Sequence, residues 1–373
     1  MKFPFLIKRF PILMLLTLVA AFEANAQILF ESAKKIGSAV SLNYTDIVET
    51  KFSFQDQSYA DTLHSSLKQG KYLLKAEKTS YAFDGNKLVT LNFSDSTYTV
   101  KSESVSGQDT RTLFYWIKEI EKIRSSNLKT RQLPDTVIGK RQLTHIRVTE
   151  RDTLVDKEKE YMICDYFIDK VNSLPIKIVR IFKGRGNDGT DFGLIEIHNY
   201  SDYKLNQKNF PDLGRIEIPA YFTLPKKSEP VKFLENGLMA PLLNASDLKG
   251  VKLDNEVLKG KLVLINFSLI GCPHCVGASQ MLNRLQQKYK SANLRIINIY
   301  PIDEAKVVAS FDLREKVTSP SYISDRSINK LYPINGYPSF YLIGTDGKIA
   351  QSYNGFYKNL EADLIEKIDD LLK

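Results

Sequence analysis

Cysteine is scarce in this chain. Its 373 residues include only three, Cys164, Cys272 and Cys275, too few for a disulfide-stabilised scaffold, so the fold must depend on a hydrophobic core. Histidine is nearly as rare, with four residues scattered along the sequence. A structural zinc site needs four ligands, usually two close pairs, and the sequence supplies one cysteine pair without a second pair to match it. These shortages exclude a disulfide-rich module, and no metal is expected.

Long apolar runs are absent beyond the N-terminus, where residues 10–22 form an apolar stretch of 13 residues. Lys8 and Arg9 precede this stretch, and a small-residue cleavage site ends at Ala26. A basic start, a short apolar core and a small-residue site predict a secretory signal peptide over residues 1–26. The alternative is an uncleaved membrane anchor, although the stretch is short for a transmembrane span. We therefore expect export to the periplasm, with no stable membrane insertion of the mature chain.

A concentration of positive charge in one region is also missing. The formal net charge is +9, and Lys and Arg residues are spread among Asp and Glu along the whole chain. A nucleic-acid-binding surface would instead show a basic stripe with interleaved aromatic residues. The sequence therefore predicts an ordinary solvated surface and no nucleic-acid partner.

A proline-rich segment divides the chain into two regions. Pro219 and Pro225 lie, with charged and turn-forming residues, in residues 216–236, which we interpret as a linker. The flanking segments, residues 27–215 and 237–373, are each long enough for a separate domain. The sequence therefore predicts two domains behind the signal peptide.

The first region is predicted to form a mainly antiparallel β domain. Turn-forming residues such as Asp84-Gly85-Asn86 separate its short strand-like runs. Two helices are expected, an amphipathic one over residues 28–42 and a tryptophan-containing one over residues 112–123. Strands are expected at Thr50–Phe54, Tyr72–Glu77, Tyr81–Phe83, Leu88–Phe93, Tyr98–Ser102, Leu143–Thr149, Lys159–Ile168, Pro175–Phe182 and Gly193–Tyr203. No group of residues here is typical of catalysis, so a role in binding, orientation or dimerisation is expected.

The order of one helix followed by many strands resembles the LolA-like half-barrel of proteins that carry lipoproteins across the periplasm. No site residue follows from that resemblance. His145 and His198 lie in strand-like runs and are expected to be structural. Cys164 shares a strand face with Met162 and Tyr166, which predicts a buried and inert thiol.

Two of the three cysteines stand together in the motif Cys272-Pro273-His274-Cys275. An almost unbroken apolar run, residues 261–267, predicts a buried strand before the motif, and apolar residues at helical spacing predict a helix after it. A helix N-terminus favours a thiolate at Cys272, because free N–H groups and the helix dipole stabilise negative charge. Pro273 suits the first helical turn. Cys275, one turn further along, is placed to resolve a mixed disulfide at the first thiol.

Other uses of a cysteine pair fit the neighbouring residues less well. Covalent haem attachment requires a histidine directly after the second cysteine, and Val276 occupies that position. A peroxiredoxin would need a proline and a Thr or Ser where Ile265 and Leu269 stand. A copper chaperone would be expected to bring a Met-rich or additional His segment. A static disulfide remains an alternative, but an acid–base residue between the thiols favours redox chemistry.

Further motifs follow the cysteine pair in a fixed order. Gly336-Tyr337-Pro338-Ser339-Phe340 comes first, and Thr345-Asp346-Gly347-Lys348 then predicts a tight hairpin. A closing amphipathic helix is expected over Leu360–Leu372. Together with the cysteine pair, these motifs make residues 237–373 resemble the exported thioredoxin-fold proteins of the TlpA-like and thiol-specific antioxidant superfamily.

This resemblance implies an α/β thioredoxin fold, with a central sheet flanked by helices, and a protein disulfide reductase or isomerase activity. In such a protein the first thiol attacks, the second resolves, the histidine tunes the pair, and a cis-proline loop docks the substrate backbone. The implied partners are protein thiols and disulfides and an envelope redox protein, and no cofactor is implied. The expected site residues are Cys272, Cys275, His274 and Pro338, with Tyr337 and Gly336 as substrate-docking residues.

Several positions depart from the family pattern. Ser268 and Gly271 replace two tryptophans that usually flank the cysteine pair, and Asn266 stands where thioredoxin keeps a buried acid. His274 resembles the residue between the thiols of strongly oxidising DsbA, whereas the scaffold resembles reductases. Reduction or isomerisation is the favoured direction. A DsbA-like oxidant remains an alternative, and so does a lipid- or partner-binding protein with an accessory thioredoxin domain.

Overall fold

The computed structural model describes residues 27–53, 58–102, 109–126, 128–155, 158–185, 191–226 and 231–373. These residues form two compact units: the main boundary falls after Lys226, and the short segments 52–53, 184–185 and 191–193 group with the second unit. The predicted signal peptide, residues 1–26, lies outside the described residues.

The first unit is built on one sheet that has eleven strands among the described residues. Its order across the sheet is β6-β5-β4-β3-β2-β1-β11-β10-β9-β8-β7, so the first and last strands of the unit meet in the middle. Strands β1 to β6 form an antiparallel meander, as do β7 to β10. In chain order the elements are α1 (residues 27–37), β1 (Leu42–Phe52), β2 (Tyr59–Lys68), β3 (Lys71–Lys75), β4 (Thr79–Phe83), β5 (Lys87–Asn92), β6 (Thr97–Ser102), α2 (Leu113–Ser125), β7 (Lys129–Ile138), β8 (Arg141–Val155), β9 (Glu158–Asp169), β10 (Pro175–Arg185) and β11 (Asp191–Leu205).

Helices α1 and α2 pack against one face of this sheet. Helix α2 begins after Thr112, whose side chain accepts a hydrogen bond from the Tyr115 N–H and so caps the helix. The Tyr44 hydroxyl accepts a further hydrogen bond from the Leu113 N–H at 3.1 Å. Apolar residues at helical spacing then face the sheet and form its core with alternate strand residues, among them Trp116, Ile120, Ile146 and Ile178.

The predicted antiparallel β character of this unit is confirmed, but two strands were not predicted. Strand β2 carries polar residues at most positions, so its sequence shows no apolar alternation. Strand β7 lies at the sheet edge, contains Pro134, and shifts register between Leu133 and Thr136. Edge strands tolerate proline and bulges, and both features interrupt the alternation of apolar and polar residues by which a strand is predicted. The prediction for residues 28–42 was also too long, because the helix ends at residue 37 and β1 begins at Leu42.

The second unit is a six-stranded sheet, among its described residues, with helices on both faces. The strand order is β12-β15-β14-β13-β16-β17, with β13 parallel to β14 and antiparallel to β16. Its elements are β12 (Ser246–Asp247), a 3₁₀ turn (Asn255–Leu258), β13 (Leu262–Phe267), α3 (Pro273–Lys288), β14 (Leu294–Tyr300), α4 (Ala305–Glu315), β15 (Ser321–Ile323), α5 (Ile328–Leu331), β16 (Ser339–Ile343), β17 (Ile349–Asn354) and α6 (Leu360–Leu371). The predicted α/β architecture is confirmed.

Strand β13 is the centre of this sheet, and every one of its residues is buried. Leu262 and Leu264 face the core beneath α3 and α6. Val263 and Ile265 face the core on the opposite side. This covering on both faces explains the unbroken apolar run in the sequence, since a parallel strand at the centre of a sheet has no solvent side.

Candidate active site

The cysteine motif lies where the buried strand β13 turns into helix α3. Cys272 is the N-cap residue of α3 and Pro273 is its first residue. Gly271 has a φ of +87°, a left-handed conformation that glycine adopts without a side-chain clash. The Ile270 N–H donates a hydrogen bond to Asp303 Oδ2 at 3.1 Å, which holds the loop before the motif. The first thiol therefore lies at a helix N-terminus, as predicted.

The two thiols of the motif are free and differ in environment. Cys272 is partly exposed, whereas Cys275 is fully buried. A hydrogen bond from the Cys275 thiol lowers the pKa of Cys272 to about 6, and partial burial opposes this. The N–H groups of Cys275 and His274 and the charge of His274 lower it further. Burial raises the pKa of Cys275, and its hydrogen bond to Cys272 adds to the effect. The site thus pairs an accessible thiol of lowered pKa with a buried thiol of raised pKa.

The predicted proline loop lies beside the first thiol. The Tyr337–Pro338 peptide bond is cis, which confirms the prediction from the motif. The Cys272 sulfur lies 3.5 Å from the Tyr337 carbonyl oxygen and donates to it in its protonated form. Behind the loop, the Ser339 hydroxyl donates to the Gly336 carbonyl at 2.8 Å, and Ser339 opens strand β16 next to β13. The pairing of two neighbouring strands therefore brings the loop to the cysteine motif.

His274 lies in the first turn of α3, and its side chain is exposed. Its charge is one of the causes that lower the pKa of Cys272, after the hydrogen bonds from the second cysteine. Its predicted role in tuning the cysteine pair stays a prediction.

Asp303 was not predicted as a site residue. Its carboxylate accepts the Ile270 N–H, and burial raises its pKa while this hydrogen bond lowers it. The sequence carries a signal for it, because Asp303 follows the buried strand β14, which is parallel to β13. Parallel strands end at the same edge of a sheet, so residues just after β14 lie close to residues just after β13.

The other predicted structural residues lie in the first unit. Cys164 is fully buried in its core, and burial raises the pKa of this thiol, as expected for an inert cysteine. His145 Nε2 lies 3.2 Å from Asp165 Oδ1. His198 Nδ1 lies 2.7 Å from Asp46 Oδ2, and both side chains are buried. Each histidine thus has a carboxylate partner within the sheet.

In the described part of the chain, no group of three or more His, Cys, Asp and Glu residues is arranged to hold a metal ion. No helix among the described residues is both long and apolar enough to span a membrane.

Cys272 is expected to react with iodoacetamide with a pH midpoint near 6, well before the other two cysteines. At pH 6 its larger thiolate fraction, offset by lower intrinsic nucleophilicity, gives about a 10-fold faster reaction than a free thiol of pKa ~8.5. Peptide mass spectrometry after timed quenching measures each cysteine separately. Faster labelling of Cys275 or Cys164 at this pH would contradict the assignment of the two roles.

The fold of the second unit and its paired thiols define a thioredoxin-fold protein with a dithiol centre. Residues 237–352 match the model of the AhpC/TSA family. The chain belongs to this family and is a thiol-disulfide oxidoreductase, as the following relatives indicate.

The chain is 31% identical over 136 residues to the thiol-disulfide oxidoreductase ResA of Bacillus thuringiensis, which covers 36% of this chain and 75% of the relative. It is 27% identical over 151 residues to the thioredoxin-like protein YneN of Bacillus subtilis, covering 40% of this chain and 86% of that protein. Among solved structures, the thioredoxin domain of a thiol-disulfide oxidoreductase from Bacteroides vulgatus superposes with a TM-score of 0.34 at 22% identity, covering 38% of this chain and 99% of that one.

Proposed function

We propose that this protein is exported to the periplasm and there reduces or isomerises disulfides of other proteins through Cys272 and Cys275. The observation that carries the proposal is the contrast between the two thiols. One is accessible, with its pKa lowered to about 6, and the other is fully buried, with its pKa raised. The predicted signal peptide supports the compartment.

The reaction follows from this contrast. The Cys272 thiolate attacks one sulfur of a substrate disulfide, which forms a mixed disulfide and releases the other substrate sulfur as a thiolate. The Cys275 thiol then loses its proton and attacks the Cys272 sulfur. This step forms the internal disulfide and releases the second substrate thiolate. Two electrons pass from the enzyme dithiol to the substrate, and a dithiol protein of the envelope restores the reduced enzyme.

The proline loop is proposed to hold the substrate during this exchange. The Tyr337 carbonyl lies 3.5 Å from the Cys272 sulfur, so a peptide segment bound along the loop brings its own sulfur to the thiolate. Pro338 and Gly336 flank this carbonyl and shape the backbone that would pair with an extended substrate. Tyr337, Pro338 and Gly336 are thus the proposed docking residues.

The pKa of the attacking thiol favours reduction over oxidation. DsbA is a strong oxidant because its thiolate is very stable, with a pKa of about 3.5, whereas the corresponding thiol of thioredoxin has a pKa of about 7. Cys272, at about 6, lies closer to the thioredoxin value. His274 helps to stabilise this thiolate, but the pKa of Cys272 stays well above that of the DsbA thiol.

We expect the redox potential of the cysteine pair to lie below about −200 mV, in the range of reductases. Equilibration against glutathione, with the oxidised fraction read by alkylation and mass spectrometry, measures this potential. Replacing His274 by proline removes a charge that stabilises the thiolate and should lower the potential by roughly 30 mV or more, equivalent to a tenfold change in the equilibrium constant.

Lys288→Gln is the control, since it removes a positive charge at the opposite end of α3. It should leave the potential unchanged. A wild-type potential near −120 mV, the value of DsbA, would make the protein an oxidant. An unchanged potential in His274→Pro would show that the histidine does not tune the pair.

A further inference from the structure

The backbone and the side chain of Tyr337 lie in different parts of the second unit. Its carbonyl oxygen lies 3.5 Å from the Cys272 sulfur. Its ring is partly buried and packs against the core on the face of the sheet opposite α3, which also contains Phe267 and Tyr341. The side chain therefore anchors the residue in this core, and the backbone is the part of Tyr337 that lies at the reacting sulfur.

The hydroxyl at the far end of this ring is held by an asparagine. Asn329 Nδ2 donates a hydrogen bond to the Tyr337 hydroxyl oxygen at 3.2 Å. Asn329 lies in helix α5, eight positions before Tyr337 in the chain. A phenol can both donate and accept, so this hydrogen bond forms with either orientation of the amide. A phenylalanine would fill the same space in the core without a tie to α5.

Helix α5 has a fixed position in the unit, because buried side chains hold it at both ends. Ile328, its first residue, and Tyr332, which follows its last, are buried in the same core. The Tyr332 N–H donates to the Ile328 carbonyl at 2.8 Å, and the Tyr332 hydroxyl donates to the Pro241 carbonyl. A side chain on α5 is therefore a firm support for the proline loop.

The other hydrogen bonds of the proline loop hold the neighbours of Tyr337. The Ser339 hydroxyl donates to the Gly336 carbonyl at 2.8 Å, on one side. The Gly355 N–H donates to the Pro338 carbonyl at 3.0 Å, on the other side. Among the described residues, the amide on α5 is the only hydrogen-bond partner of the Tyr337 hydroxyl. The position of this side chain therefore depends on that amide.

The amide of Asn329 has no comparable structural task within the described part of the chain. Its Oδ1 is buried and receives no hydrogen bond from another described residue. A buried oxygen without a donor is unfavourable, so stability alone does not account for an asparagine at this position. The contact with Tyr337 does account for it.

We propose that Asn329 is a positioning residue for substrate docking, which holds the Tyr337 hydroxyl in the core and thereby keeps the Tyr337 backbone at the Cys272 sulfur. This inference rests on the proposed function, because it concerns how the docking loop of the same exchange is held. Asn329 acts through Tyr337 and touches neither the substrate nor the reacting sulfurs. Loss of the anchor frees the loop backbone, which weakens docking of a polypeptide and leaves the chemistry of the thiol unchanged.

Two disulfide substrates separate docking from thiol chemistry. Insulin offers a polypeptide backbone that can lie along the proline loop. Dithiobis(nitrobenzoate) is a small aromatic disulfide without a peptide backbone, so it reacts with Cys272 without docking on the loop. A variant with impaired docking should react more slowly with insulin alone. A variant with a perturbed thiol or fold should react more slowly with both.

The test measures the second-order rate constant of the reduced full-length protein with each substrate. Asn329→Ala should lower the rate constant for insulin about 5- to 10-fold, the factor expected for the loss of one hydrogen bond, and leave that for dithiobis(nitrobenzoate) unchanged. Tyr337→Phe should lower the rate constant for insulin by the same factor. The double variant should be no slower than either single variant, because both substitutions remove the same hydrogen bond.

Matched controls remove an asparagine and a tyrosine hydroxyl that lie away from the proline loop. Asn255 Nδ2 donates to the Leu243 carbonyl at 3.0 Å, and the Tyr289 hydroxyl donates to Asp369 Oδ1 at 2.6 Å. Asn255→Ala and Tyr289→Phe should keep the wild-type rate constants with both substrates.

A wild-type rate constant for insulin in Asn329→Ala, or equal slowing with both substrates, would overturn the positioning role while leaving the exchange intact. A double variant slowed by the product of the two single factors would overturn it as well. Failure of the wild type to reduce insulin would instead contradict the proposed function. If Asn329→Ala does not fold, Tyr337→Phe, which keeps the ring in the core, decides the question.

Discussion

Replacing Cys272 by serine is expected to reduce the rate of insulin reduction by dithiothreitol to the uncatalysed rate of dithiothreitol alone, because the variant cannot form the mixed disulfide. The serine hydroxyl keeps its proton at neutral pH, so the variant lacks the nucleophile that the helix N-terminus and Cys275 create. Precipitation of the insulin chains, followed by turbidity, measures the rate. Replacing Cys275 by serine should instead preserve the first attack and accumulate a mixed disulfide with the substrate.

Cys164→Ala is the matched control, because it removes a cysteine from the core of the first unit. It should keep the wild-type rate. Full activity of Cys272→Ser would contradict the assignment of the nucleophile. Failure of Cys275→Ser to retain substrate would show that the second thiol is not the resolving group.

The thiol pair and the proline loop could be predicted because their chemistry depends on short, continuous stretches of sequence. A strand, two cysteines three positions apart and a helix define the geometry of Cys272 and Cys275 almost alone. The apolar run of β13 also predicts that the strand is buried, since a strand covered on both faces has apolar residues at consecutive positions. Local sequence therefore carries most of the information about this part of the site.

The buried polar residues that share one face of the second sheet could not be predicted in the same way. Asn266, Asn298 and Ser321 lie on three different strands, and their pairing depends on the order β15-β14-β13 and on the register of the parallel strands. No sequence spacing encodes that order. Ser268 was noted in the sequence only as a replacement for a tryptophan, and in the structure its side chain is fully buried.

A buried pair of charged residues in the first unit could not be predicted from the sequence either, because its members are far apart in the chain. Asp46 and His198 are 152 positions apart, yet they meet because β1 and β11 are neighbours in the sheet. Both side chains are at most 1% exposed, and the His198 ring stacks on Tyr200 with centroids 5.8 Å apart. Burial alone would lower the pKa of His198, but its hydrogen bond with Asp46 and the Glu196 carboxylate 3.8 Å from Nε2 raise it to about 9. Burial also raises the pKa of Asp46, but at neutral pH we expect the pair to be charged, with the histidine as a buried cation.

Asp46→Ala is expected to destabilise the first unit by about 3–5 kcal/mol, because removing one partner of a buried ion pair leaves the other uncompensated. Asp61→Ala, on the exposed part of β2, is the control and should change the free energy of unfolding by less than about 0.5 kcal/mol. Urea unfolding followed by tryptophan fluorescence suits this test. The chain has one tryptophan, and the Trp116 ring lies 5.3 Å from the His198 ring, so the signal reports on this unit.

The pH dependence gives an independent check on the same pair. Since the pKa of His198 is raised from 6.5 to about 9 in the folded state, its contribution to stability is fully present below pH 6.5 and is lost as the pH rises through about 9. The wild type should therefore lose stability across this interval, and Asp46→Ala should show a shallower slope because the strongest partner of the histidine is gone. Equal free energies of unfolding in the two proteins, with parallel slopes between these pH values, would contradict a charged pair. The histidine would then be neutral in the folded sheet, and the contact with Asp46 would be an ordinary hydrogen bond.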